Sequence, residues 1–527
     1  MKKTFLFLLL VACFAAKGQT IHVNGEQTGV WEADTVRVVG DVTVIDSVVV
    51  LPGTVVLFDG FYAIDVKKGA SFTAQGTVTD SIVFTVADTT GFYIYNDGVG
   101  GWNGFYVEKA SRFLLDYCVL EYGKAADTLD RFGGALNIRL TQDVVINHST
   151  LRCNFSREQG GALYGYESRV TCMDCKFNEN KVYTLDNTYA MYGGAAQFLK
   201  CDVVMTGMEF HANYADHCIG GALSLDSCAV MLDRATFTDN VGINGGGLYL
   251  MRSNHKECTL SNLLFDNNLS GHFGGGFALS NASPKVSNVL VINNTSIGVS
   301  CCGVFFFEES APCMTNCIIY GNYPEYDTLS PLIDTTEMWL WTFEGFAPEF
   351  HNCLIEGGMK YIHSWENITV FENVIDADPM FVDAENHDFR LAMGSPCIDA
   401  GDPNTPSYVL EGFDLSGNPR VANQRIDIGP YEYSGAFVHQ HLSSASNARL
   451  VGNPLGVHSR IELDAAWTGE VELTVYSMAG RCVARKAMRV DGIHSLTIGD
   501  LVDRLVPGVY LIEVKGNQGS CTLKAVR

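Results

Sequence analysis

The 527-residue sequence carries 59 Asp plus Glu, 13 His and 17 Cys, so residue type alone leaves acid–base, metal and thiol chemistry open. Spacing narrows the field. Cleavage of acidic polysaccharides needs paired carboxylates for hydrolysis, or a cation-binding acidic cluster with a basic residue for β-elimination. The chain has no Asp-Asp pair, no Asn-Thr-Asp, no Gly-His-Gly and no Arg-Ile-Lys, and Gly271-His272-Phe273 is the nearest approach. His211, Asp216 and His217 crowd one stretch and are read as a solvated turn. Cys172-x-x-Cys175 has neither a second pair nor a His at ligand spacing, so no zinc or redox centre is expected there. Asp399, Asp402 and Asp414 match no calcium loop. No catalytic residue, metal ligand or cofactor is therefore assigned. The aromatic residues Tyr164, Tyr166, Tyr249 and Phe305 remain. Alternation puts Tyr164, Tyr249 and Phe305 on an outer strand face, and two readings stand for these four exposed aromatics: ordinary packing on the sheet surface, or a stacking platform that binds sugar rings.

The elements that position them repeat. An apolar-x-x-Asn tetrad ends at Asn154, Asn180, Asn213, Asn240, Asn268, Asn294 and Asn322. Between these stand GGAL at 133 and 160, GGAA at 193, GGAL at 220, GGGL at 245, GGGF at 274 and a degenerate CCGV at 301. Two motifs locked to one period of about 27 residues define a repeat unit. Its apolar stretches, such as Val144 to Ile146 and Val289 to Ile292, are too short for helices. Three strands per repeat joined by tight turns make one coil of a right-handed parallel β-helix, with coils stacked about 4.8 Å apart. Phe177, Phe210, Phe237 and Phe265 are predicted to point inward as a ladder, and the tetrad Asn to take the left-handed turn conformation and bond neighbouring turn backbone. The fold class is therefore all-β: a right-handed parallel β-helix followed by a small C-terminal β-sandwich.

The GGA-apolar and FxxN tetrapeptides over about residues 130 to 325 resemble the repeats of the chlamydial polymorphic outer-membrane protein family, which implies a β-helical, adhesive passenger. A membrane barrel of the kind that ends those autotransporters is not read here. Pro52-Gly53-Thr54-Val55 and Gly101-Trp102-Asn103-Gly104 look like the opening coils of bacterial secreted β-helix proteins. Residues 376–433, with Asp378-Pro379-Met380-Phe381 and Asp427-Ile428-Gly429-Pro430, are similar to the choice-of-anchor Q segment and are expected to cap the helix. After a linker at 434–446, residues 447–527 resemble the type A C-terminal sorting domain of the type IX secretion system of Bacteroidota. That likeness rests on Asn453-Pro454, Gly480 and Gly508-Val509-Tyr510. It implies type IX secretion machinery and its sortase as partners, with surface lipopolysaccharide as an attachment point. Seven Asp-Ser/Thr triplets, from Asp34 to Asp334, look like the O-glycosylation sequon of that phylum.

The N-terminus agrees with export. Lys2 and Lys3 precede the apolar run Phe5 to Ala12, and Ala16-Lys17-Gly18 offers a cleavage site, giving a signal at 1–18 and a β-helix from 19 to 375. The alternative is a lipobox acylating Cys13. A net charge of −24 repels phosphate backbones, so nucleic-acid binding is excluded. The tail, with 10 basic and 8 acidic residues, is a separate module. Cysteines fall in phase with the repeat and are read as stacked core thiols. The sequence thus points to a monomeric cell-surface or secreted protein, exported across the outer membrane, that binds a glycan or protein ligand. The alternative is a polysaccharide lyase or glycoside hydrolase acting on the β-helix side face.

Overall fold

The computed structural model describes residues 19–94, 97–126, 132–183, 192–215, 218–297, 301–323, 336–364, 370–406, 409, 412–421, 425–433, 448–451, 459–463, 469–477, 482–490, 495–498, 505, 509–516 and 519–526. Two compact units divide the chain. The first runs to Pro379 and includes Ile428–Pro430; the second comprises Met380–Asp427 and Tyr431–Arg527.

The first unit is a parallel β-helix whose 38 strands are all joined through one hydrogen-bonded network. Each repeat coil visits three main sheets in turn, and two-residue strands such as Phe155–Ser156 and Lys181–Val182 pair from coil to coil after the third. In one coil, Leu136–Arg139 belongs to the first sheet, Val144–Asn147 to the second and Thr150–Arg152 to the third. Each pairs in parallel with its counterpart one coil on: Leu163–Tyr166, Arg169–Met173 and Lys176–Asn178. Alternation then sends Leu136, Ile138, Val144, Ile146 and Leu151 into a continuous apolar interior.

Corners between sheets are made by single residues with positive φ. Leu140, Glu167 and Lys200 end first-sheet strands, and Tyr117, His148 and Asp174 lead into the third sheet. After the third sheet the left-handed residue is Cys153, Glu179, Ala212, Asp239, Asn267 or Asn293, each immediately before a tetrad Asn. The expectation that the tetrad Asn itself adopts this conformation is corrected here, because its side chain has another task. Asn180 accepts from the Asn154 backbone and side-chain amides at 3.1 and 2.9 Å, and donates through Nδ2 to Leu151 O and to Asn213 Oδ1 at 2.9 and 3.0 Å. The pattern repeats through Asn213, Asn240, Asn268 and Asn294 to Asn322, all buried. A buried amide side chain satisfied on every side fixes the corner in each coil.

Beside this ladder runs the aromatic one. Phe177, Phe210, Phe237 and Phe265 stack with centroids 5.2, 4.7 and 4.7 Å apart, inward as expected. The glycine pair forms the corner before the first sheet. Gly160 has φ +59, and a Cβ on Gly161 would collide with the Gly194 carbonyl oxygen of the next coil. Only a residue without a side chain fits such an approach.

In the second unit, Phe381–Asp383 and Asp388–Leu391 form a hairpin. Beyond it Arg420, fully buried, pairs with Glu432 at 3.1 Å, while Asp414, Asp427 and Glu432 accept backbone amides. Farther along are two antiparallel sheets. Ala448–Val451, Arg460–Leu463 and Ser495–Thr497 form one; Cys482–Val490, Gly469–Ser477, Val509–Gly516 and Gly519–Val526 form the other. Ile461 and Leu496 from the first share one buried cluster with Val471, Leu473 and Ile512 from the second. Among the described residues no helix is long and apolar enough to cross a membrane.

Candidate functional site

Outward side chains of the first sheet stand in two columns. One passes through Tyr106, Tyr164, Tyr249 and Phe305 to Trp339 and His363; the other through Tyr166 and Met251 to Phe307 and Trp341. In the first column the expected exposure fails. Tyr164, Tyr249 and Phe305 are 4%, 7% and 4% exposed. Their cover is the residue just before each glycine pair, which stacks from coil to coil outside the barrel as Phe132, Gln159, Tyr192 and Ile219. Phe132 lies on Tyr164 at 4.9 Å and Phe273 on Phe305 at 4.4 Å. Burial pushes the Tyr249 hydroxyl up to about 12. Tyr249 and Phe305 form a small second core with Met251 and Cys301, and Tyr192, Ile219 and Phe273 pack against it. Tyr166 is half-buried, and the Lys200 ammonium sits 5.9 Å from its ring centroid.

The aromatic surface moves instead to the last coils. Phe307 and Trp341 meet edge to face at 5.7 Å, Trp339 contacts His363 at 4.8 Å, and Phe343 follows directly on the strand. Trp341 is 38% and Phe343 51% exposed, while Phe307 and Trp339 are half-buried. Flat rings fixed by register and open on one side can stack on the apolar face of a sugar. A separate depression of about 400 Å³ lies between Phe58, Asp59 and the loop residues Asp88, Thr90 and Val99. That loop is tied down by fully buried Lys124, whose ammonium donates to Ile94 O and Val99 O at 2.7 and 2.9 Å. Burial pushes the lysine down to about 8 against the pull of Asp97.

No protein-family model matches this chain, and no curated protein matches it. Its chemistry must be read from the coils.

The remaining sequence candidates disperse. His211 faces Thr238 at 3.0 Å and Asp239 at 3.2 Å; Asp216 and His217 lie outside the described residues. Cys172 and Cys175 both point inward, because left-handed Asp174 turns the chain between them, and burial raises both thiols. Among the described residues Asp399, Asp402 and Asp414 do not gather into a ligand cluster; Asp402 and Asp414 bind amides of their own turns. Asn453, Pro454, Gly480 and Gly508 lie outside the described residues, and Tyr510 is buried in the four-stranded sheet.

Two groupings carry no linear signature. Glu337 and Glu356 meet at the end of the Asn ladder, with Tyr323 donating to Glu356 at 3.2 Å. On the outer face of the second sheet, register brings Cys313, Glu349 and His351 together. The Glu349-x-His351 alternation was the available clue, since it puts both side chains on one strand face; Cys313 joins them only through pairing with the preceding coil.

Proposed function

We propose that this is an exported β-helix protein, displayed on the cell surface or released, that binds carbohydrate without cleaving it. The observation that carries the reading is the open aromatic group Phe307, Trp341 and Phe343 on a rigid parallel sheet. Delivery through a type IX machinery and its sortase, with lipopolysaccharide as an anchor, is supported by the signal-like N-terminus and the tail motifs. The paired antiparallel sheets that share one apolar cluster suit a sorting sandwich. Screening the mature chain on host and plant glycans should find binding that falls at least about tenfold in Trp341→Ala, as loss of one stacking ring implies. Undiminished binding in that variant would remove the site. Removing the chain after Ser446 should abolish surface appearance, and continued display would refute the sorting role.

The rival reading, a polysaccharide lyase or glycoside hydrolase on the side face, has the Glu337–Glu356 pair in its favour. Against it, Glu337 is only 2% exposed and is occupied by Asn322. New reducing ends or unsaturated products from any bound glycan would decide for the enzyme.

A further inference from the structure

Three chemically different ligands stand on the outer face of the second sheet. Cys313 pairs directly with Glu349 of the next coil, Thr315 with His351, and His351 with Glu372 one coil farther on. One donor atom each from Cys313, Glu349 and His351 lies within 4.8 Å of the others, and all three residues are half-buried. The ligand atoms of a tetrahedral zinc sit roughly 3.5 Å apart, so rotamer adjustment alone closes the group on an ion.

The imidazole is held from both sides. Its Nε2 lies 3.6 Å from Glu349 Oε2 and its Nδ1 lies 3.5 Å from Glu372 Oε2. A metal-bound histidine needs this arrangement: one nitrogen faces the ion while the other donates its proton to a carboxylate that fixes the ring. Glu349 is anchored by backbone pairing with Cys313 and with Val370. The three ligands therefore ride on adjacent rungs of one sheet, and the fourth position is left to water or a ligand.

We propose that Cys313 Sγ, Glu349 and His351 Nε2 bind one divalent d-block cation, zinc by ligand type, with Glu372 orienting the imidazole. Thiolate, imidazole and carboxylate together select zinc over calcium or magnesium, which prefer oxygen donors alone. The site is independent of the carbohydrate reading and lies on a different sheet.

Cobalt titration of the chelator-treated mature chain tests it. One Co²⁺ per chain should bind with a thiolate-to-cobalt absorption, and Zn²⁺ should displace it. Cys313→Ser should remove that absorption, and Glu372→Gln should weaken binding by about 10–100-fold while keeping it. In parallel, Zn²⁺ should raise the melting temperature of the parent and leave that of His351→Gln unmoved, a readout that does not depend on the cysteine variant. Titration without thiolate absorption, absorption that persists in Cys313→Ser, or an equal zinc effect on parent and His351→Gln would each overturn the assignment.

Discussion

Asn322 donates its side-chain amide to Glu337 Oε2 at 2.6 Å while its backbone amide donates to Oε1 at 3.1 Å. A carboxyl group thus takes the place that an asparagine fills in the coils from Asn154 to Asn322. Burial pushes Glu337 from 4.5 up to about 8; the two Asn322 donors oppose that shift and a hydrogen bond with Glu356 adds to it.

In the unfolded chain Glu337 releases its proton near 4.5, so between about 4.5 and 8 the folded state binds more protons and stability falls as pH rises. Glu337→Gln removes this titration and should flatten the decline, which amounts to a few kcal/mol at most. Denaturant midpoints measured at steps from about pH 5 to 8 check it; parallel profiles for both proteins would refute it.

Phe237 stacks on Phe210 and Phe265 at 4.7 Å on each side and is fully buried. Phe237→Ala should cost about 3–5 kcal/mol, because neighbouring coils fixed by backbone pairing do not collapse into the space. Equilibrium unfolding gives the value, and a loss below about 1 kcal/mol would show that the ladder relaxes.

Gly161→Ala should destabilise by about 1–3 kcal/mol through the clash with the Gly194 carbonyl. Gly271→Ala is the control: its new methyl meets nothing closer than Ile243 at 3.4 Å and should change stability by less than about 0.5 kcal/mol. Paired thermal melts separate the two.

Cys482 is exposed, Cys153 and Cys313 are half-buried, and the other cysteines whose side chains are described are buried. Burial pushes Cys118, Cys175, Cys302 and Cys397 up to about 12, far from thiolate at neutral pH. Among the cysteines whose side chains are described, a small alkylating reagent should therefore modify Cys482 first in the metal-free native protein, then Cys153 and Cys313, and the buried ones only on unfolding. Peptide mass mapping over time reads the order, and early labelling of Cys175 would contradict the packing.

Periodicity made the coil interior legible. Phe177 to Phe265 and the glycine pairs recur at fixed phase because every coil solves the same packing problem at the same place. The outer face was misread for a related reason: alternation shows that Tyr164 and Phe305 point away from the barrel, but not that Phe132 and Phe273 lie over them. Asn154 and its successors are legible as corner residues whose side chains bond nearby backbone, as Asn180 does with Leu151 O, but the left-handed conformation falls to the residue before each, and the bond from Asn to Asn depends on coil register. Cys201 and Cys228 were placed in the core correctly, though they do more than fill it: Cys201 N donates to Cys228 Sγ as Cys228 N donates to Ser253 Oγ, so thiol and hydroxyl exchange places at one corner. Glu337 and the Cys313 group lay beyond reach, since each depends on which coil pairs with which.

The asparagine ladder has a direction: each backbone amide and one side-chain N–H donate toward the next coil, the other side-chain N–H donates back to a carbonyl of the preceding one, and Glu337 receives the last forward pair. Units between Asn154 and Asn294 are thus equivalent links, and the run ends where Glu337 accepts the Asn322 pair. Adding or removing one whole coil upstream of Asn322 would therefore leave every hydrogen bond of the ladder with a partner.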